Sequence, residues 1–164
     1  MAKLEFQGLD EYLKQLRSME AKSTGMIKRA VFEGAAEVAK AVKAEIQALP
    51  EVAHDGYQFP WQLPIRGVTK EQKQGLLDGM GFAKMENENG FINTKLGFDG
   101  YNRVKTQKYP SGQPNALLAR SINSGSSTRQ KIPFMNRAVK AAKARAESAM
   151  AARLEADIES IQKG

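Results

Sequence analysis

The segment IPFMNRAVKAAKARAESAMAARLEADI, residues 132–158, limits the fold more than any other stretch of the chain. Proline is tolerated in the first turn of a helix, where its missing N–H has no intrahelical partner. Pro133 therefore marks a helix start, and Phe134 can turn inward as an anchor. Nine alanines between positions 138 and 156 give the segment high intrinsic helix propensity, which predicts a helix to about Ile161. Small side chains also let such a helix approach a sheet or another helix closely. It is then either a well-packed core helix or a helix that joins subunits.

The N-terminal half carries a second strong periodicity. Gly8 ends a short apolar start, and LDEYLKQLRSME (9–20) sets Leu9, Leu13 and Leu16 on one helical face, with Asp10 and Glu11 near its positive N-terminal end. Ser23 or Thr24 is placed to cap a second helix, in which Ile27, Val31, Ala35, Val38, Val42, Ile46 and Leu49 recur every three or four residues up to Pro50.

Between these helical ends the pattern changes. Residues 51–69 lack periodicity, contain Pro60 and Pro64, and hold Tyr57, Phe59 and Trp61. So long a loop in a compact domain is functional or disordered, and its aromatics predict that it packs on a neighbour or folds back on its own sheet. The segment 70–102 reads as a helical turn feeding a hairpin. Asn89-Gly90 suits a two-residue turn with positive φ at both positions, flanked by alternating Met80, Phe82, Lys84 and Ile92, Thr94, Leu96, Phe98. A lone hairpin is marginal, so a third strand and a covering helix are expected, and ALLARSINSG (116–125) is the candidate for that third element of the sheet. The sum is an α+β fold: N-terminal helices, a small antiparallel sheet with a hairpin near Asn89-Gly90, and a long C-terminal helix packed on the sheet. No linker divides residues 1–164, which predicts a single domain.

Without cysteine there is no disulfide framework, thiolate metal site or thiol nucleophile, and a reducing compartment is expected. Neither a leader pattern nor an apolar run long enough to span a bilayer is visible, so no membrane partner is expected. The net charge of +7 divides unevenly, with −1 over residues 1–60, +6 over 61–131 and +2 over 132–164. A basic middle attracts nucleic acid, acidic protein or membrane surface, and charge alone does not choose among them. Arg103, Lys105, Lys108, Arg129 and Lys131 fall in expected loops with Tyr101 and Tyr109 between them, an arrangement suited to phosphate contact and base stacking.

Catalytic chemistry finds little support. The glycines of GLLDGMG (75–81) lack the Lys-Ser/Thr of a phosphate-binding loop and read as a turn. His54, the sole histidine, has only Asp55 beside it, too few ligands for a metal. Glu86 and Glu88 share one side of an exposed hairpin tip, which leaves them little catalytic value, and Asp78 stands apart. The chain reads as a non-enzyme with no catalytic residue, cofactor or metal site.

Three separated pieces, LEFQGLDEYLKQL (4–16), GLLDGMGFAKM (75–85), and LLARSINSGSS (117–127) paired with KIPFMNRAVKAA (131–142), resemble the small neck or tail-completion proteins of long-tailed bacteriophages, the gene-ten-product-like group. Gln74, Asn123 and Ser126 stand where that family often has Thr, Glu and Thr, and the aromatic loop is longer. The resemblance implies a structural protein of virion assembly that joins head and tail as a subunit of a homo-oligomeric ring. Implied partners are neighbouring neck, connector and tail-tube proteins, with sequence-independent contact to channel DNA. The implied location is the host cytoplasm during assembly, then the virion. On that reading Tyr57, Phe59, Trp61, Tyr101, Tyr109, Pro133 and Phe134 are candidate subunit contacts, and Arg103, Lys105, Lys108, Arg129 and Lys131 face DNA or an acidic partner. The alternatives are a basic cytoplasmic nucleic-acid-binding module and a hydrolase with a pocket around Asp78, Glu86 or His54.

Overall fold

A computed structural model describes residues 9–55 and 63–163, so Tyr57, Phe59 and Trp61 lie outside the described residues. In order, the elements are helix α1 (Leu9–Gln47), α2 (Lys70–Gly79), strands β1 (Met80–Phe82), β2 (Glu86–Glu88), β3 (Phe91–Asn93) and β4 (Leu96–Phe98), then α3 (Asn115–Ser124) and α4 (Phe134–Lys163). The class is α+β. One core cluster gathers Val42 and Ile46 of α1, Leu76 of α2, Leu118 and Ile122 of α3, and Phe134, Ala138 and Ala142 of α4.

The two helices expected before Pro50 are one continuous helix of 39 residues. Ser23 does not cap a new start. Its Oγ donates back to the Glu20 carbonyl at 2.7 Å, a bond to the preceding turn that leaves the helix intact. Gly25 weakens the helix by about 1 kcal/mol relative to alanine, which is too little to end it. The expected apolar stripe also shifts by one residue in the first half. Met26 and Ala30 are buried and Ile27 is exposed, whereas Val42, Ile46 and Leu49 face the core as expected.

Helix α4 runs antiparallel along α1, and their contact is the most extensive between any two elements. Ala138, Ala142 and Ala146, four residues apart, are its buried face. At Gly34 the helices come so near that a Cβ would stand 2.6 Å from the Met150 side chain and 3.3 Å from the Ala146 carbonyl. Charge fixes the register: Glu45 meets Arg137 at 2.7 Å, Glu37 meets Arg145 at 3.7 Å, and Arg29 meets Asp157 at 2.9 Å. The expected packing of α4 on the sheet is made by its first residue, Phe134, whose ring lies 6.1 Å from that of Phe98 in β4. Since α4 ends at Lys163, six residues past Asp157, the first 14 residues of α1 run beyond it for roughly 20 Å.

These ion pairs predict an acid response. The hydrogen bond from Arg29, reinforced by the Arg153 charge, holds the Asp157 carboxyl below its usual value of 3.8, and a hydrogen bond from Lys40 lowers Glu37 from 4.5. A carboxyl depressed in the folded state contributes stability that is present above its unfolded pKa and lost as pH falls through the folded one. Thermal melts followed by circular dichroism should therefore show the helices weakening below about pH 4, and Arg29→Gln should shrink that acid drop. An unchanged drop in the variant would remove the pair from the explanation.

The hairpin forms where Asn89-Gly90 was expected to turn it, with φ of 54° and 89°. Asn87 Oδ1 accepts the Gly90 N–H at 3.0 Å. Gly90→Ala forces a side chain into the left-handed region and should destabilise the tip by about 1–2 kcal/mol, read as faster amide exchange across β2 and β3 with the rest of the chain unchanged. The hairpin is two ladders. Met80 pairs with Phe98 and Phe82 with Leu96, whereas Glu86 pairs with Asn93 and Glu88 with Phe91. Between the ladders residues 83–85 oppose 94–95, so one extra residue interrupts the alternation, as in a β-bulge. Thr94 leaves the ladder, its Oγ1 donating to the Ala83 carbonyl at 2.8 Å.

Two sequence expectations fail around α2 and α3. GLLDG is no turn; it is the second half of a ten-residue helix. A Cβ on Gly79 would stand 2.2 Å from the Asp99 carbonyl, and one on Gly75 2.4 Å from Asn102 Cβ, so the glycines admit the loop that follows the hairpin. The third element is a helix rather than a strand. Asn115, Leu118, Ala119 and Ile122 are its buried face, a helical spacing in a segment rich in helix formers, closed by Gly125 at φ 81°.

Candidate functional site

The polar core comes first, because it removes one expected contact. Thr69 caps α2: its Oγ1 accepts the Gln72 N–H at 3.2 Å while Gln72 Oε1 accepts the Thr69 N–H at 3.0 Å. Gln72, fully buried, then donates to Gln113 Oε1 at 2.7 Å, and Gln113 donates to Asp55. The other oxygen of Asp55 accepts from Arg129, which also donates to the Gly67 carbonyl. Arg129 is therefore a buried structural residue and no DNA-facing one. Burial pushes its pKa down, and the neighbouring Asp55 carboxylate opposes that shift.

This chain of bonds closes the base of the aromatic loop. Ile65 N–H donates to Thr128 O at 3.0 Å, Gln130 N–H to Ile65 O at 2.8 Å, and Val52 N–H to Val68 O at 2.9 Å. Both flanks of the loop thus fold back on the domain. The T-x-x-Q capping pattern is legible in VTKEQ; the parts played by Asp55 and Gln113 are not, because their partners lie 74 and 41 residues away in sequence.

Phe134 is likewise removed from the candidate subunit contacts, since it is fully buried within its own chain. Pro133 is half-buried at the same corner. The remaining expected residues divide by exposure. Tyr101 is 69% exposed, while Tyr109 is half-buried with the Lys108 ammonium 5.5 Å from its ring centre. Arg103, Lys105, Lys108 and Lys131 are exposed. Residues 102–113 form a narrow lobe, held by Asn102 N–H to Gln113 O at 2.9 Å and by reciprocal bonds between Thr106 and Tyr109.

A groove of about 490 Å³ runs between α2 and the base of this lobe, lined by Lys70, Glu71, Asp78, Tyr101, Arg103 and Asn115 among others. Of the three groups named for a hydrolytic pocket, Asp78 lines it, accepting from Gln74 at 2.7 Å. His54 and the hairpin carboxylates Glu86 and Glu88 are exposed and are not among its lining residues. Among the described residues no group of three or more His, Asp or Glu side chains could hold a metal ion, and no helix is long and apolar enough to cross a membrane.

Exposed apolar side chains are spread over several elements, from Leu63 before α2 to Leu117 of α3 and Val139 of α4, and two further groups lie at different parts of α1. Leu13 and Leu16, 40% and 43% exposed, lie on the overhanging start of α1. Phe32, in ring contact with Phe82 at 6.1 Å, and Phe91, 78% exposed, lie on α1 and the hairpin. No protein-family model, curated protein or solved structure matches the chain.

Proposed function

We propose that this chain is a structural subunit of virion assembly in a long-tailed phage, joining head and tail as one member of a cyclic oligomer. The supporting observation is that apolar side chains are exposed on unlike parts of the fold, Leu13 and Leu16 on the α1 overhang and the Phe32–Phe82 pair where α1 meets the hairpin, with Phe91 at the hairpin tip. A ring closes through heterologous contacts, in which one patch meets a different patch on the next copy. Tyr101 and Tyr109, with Tyr57, Phe59 and Trp61 of the loop, are the further contacts on this reading. Neck, connector and tail-tube proteins are the neighbours, first in the host cytoplasm and then in the particle.

Electron microscopy of lysates from a phage carrying a stop codon at this reading frame tests the proposal, beside the same phage complemented in trans. Filled heads lying apart from finished tails are the expected result, and tails of irregular length would point to termination. Normal infectious particles would overturn the assembly role. The second reading, a basic nucleic-acid-binding module, draws on exposed Arg103, Lys105, Lys108 and Lys131.

A further inference from the structure

Between Gly100 and Ala146 the chain has ten lysines and arginines and no aspartate or glutamate. The other 15 basic and 18 acidic residues leave the rest of the chain at −3, so all of the basic excess belongs to these 47 positions. The fold spends four of the ten cations on its own carboxylates. Arg129 is buried against Asp55, Arg137 and Arg145 pair with Glu45 and Glu37 of α1, and Lys143 stands 4.0 Å from Glu147. Arg103, Lys105, Lys108, Arg120, Lys131 and Lys140 are exposed and have no ion pair among the described residues.

Three of these cations belong to segments that border one hollow, and none of the three is among its lining residues. The hollow holds about 170 Å³ between the lobe and α3, and Tyr109, Leu117, Ser121 and Thr128 are among the residues that line it. Lys108 lies over the Tyr109 ring. Arg120 is three residues from Leu117 and next to Ser121, on the exposed side of α3. Lys131 abuts Gly125 at the end of that helix, where a glycine Cβ would be 3.2 Å from its own. Asp55 also borders the hollow, but its charge is already met by Arg129.

We infer that this surface binds the phosphate backbone of duplex DNA, with Lys108, Arg120 and Lys131 as its centre and Arg103 and Lys105 extending it along the lobe. Separated cations, exposed hydroxyls such as Ser126 and Thr128 and an exposed Tyr101 ring form the donor set that fixes a protein on phosphates and sugars without reading sequence. The segment that carries these cations has no carboxylate of its own, which complements a uniformly negative polymer, and an acidic protein partner is the outcome that the poly-glutamate arm of the test detects. The inference rests on the second reading, the nucleic-acid-binding module, and deepens it; it does not need the ring. A monomer that binds DNA keeps this proposal and loses the other, whereas a ring with no affinity for DNA does the reverse.

The test is titration of the full chain with a fluorescent random-sequence DNA duplex over a range of salt concentrations. Each phosphate contact contributes about −0.9 to the slope of log affinity against log salt, so four or five contacts predict roughly −4. The variant K108Q/R120Q/K131Q should lower the slope by about 3 and weaken low-salt binding at least roughly tenfold. The variant K14Q/R17Q/K22Q removes the same net charge from the α1 overhang and should keep the wild-type slope. All six side chains are exposed, so both variants should melt as the wild type does. Three results would overturn the proposal: no binding by the wild type, equal losses in the two variants, or displacement of the duplex by poly-glutamate at equal charge.

Discussion

Replacing Phe134 with alanine should lower the unfolding free energy by about 3–5 kcal/mol, the largest effect expected of any single truncation in the chain. Phe134 is the largest fully buried side chain among the described residues. It is the first residue of α4, its ring is in contact with Phe98 of β4, and Ile132 two residues before it is also buried. Loss of the ring empties the corner where the helix pair, the hairpin and α3 meet, and surrounding side chains held in separate elements relax only partly into such a gap. Because domains of this size have about 5–15 kcal/mol in total, the melting point should fall by roughly 10 °C. Urea denaturation should show a lower midpoint. Phe134→Leu, which restores most of the volume, should cost less than about 1.5 kcal/mol. If alanine leaves the midpoint in place while disrupting oligomers, Phe134 is a subunit contact after all and this account of the corner is wrong.

The second large effect concerns the buried ion pair. Arg129→Met should destabilise the chain by about 3–5 kcal/mol, because it leaves the Asp55 carboxyl without its cation and the Gly67 carbonyl without its donor. Removing both charges, in R129M/D55L, should recover much of that loss, since an apolar pair of similar volume has no desolvation to offset. The comparison separates two roles. A DNA-facing arginine would leave stability untouched and reduce only the salt slope of binding; the structural arginine does the opposite. Equal melting of Arg129→Met and wild type would restore Arg129 to the surface and remove the clamp at the base of the 51–69 loop.

Local chemistry made several features legible. Pro133-Phe134 placed the start of α4, Asn89-Gly90 placed the turn, and the run of Val42, Ile46 and Leu49 marked a buried helical face. Each depends on backbone geometry or spacing within a few residues, which one sequence displays. The break expected at Ser23 or Thr24 failed because a capping residue also has a mid-helix alternative, the bond back to Glu20. The strand expected at 116–125 failed because the need for a third sheet element was inferred from the hairpin and overrode strong helix formers.

For the candidate surfaces, residue type identified which cations are present and only packing decided which are available. Arg129 and Lys131 look alike in TRQKIP; one is buried against a carboxylate 74 residues away and the other is exposed. Tyr101 and Phe134, both named as contacts, separate in the same manner.

The sequence alone determined the α+β class, the hairpin turn, the start of the C-terminal helix, and the location of the basic excess in one acid-free segment, because propensity, turn chemistry and charge count are local or additive. Tertiary structure alone decided that α4 lies along α1, that Asp55 and Gln113 join Gln72 and Arg129 in one network, and which cations of the basic segment stay exposed and unpaired. Those outcomes depend on groups far apart in the chain competing for the same partners, and that competition is settled only when all of them are packed at once.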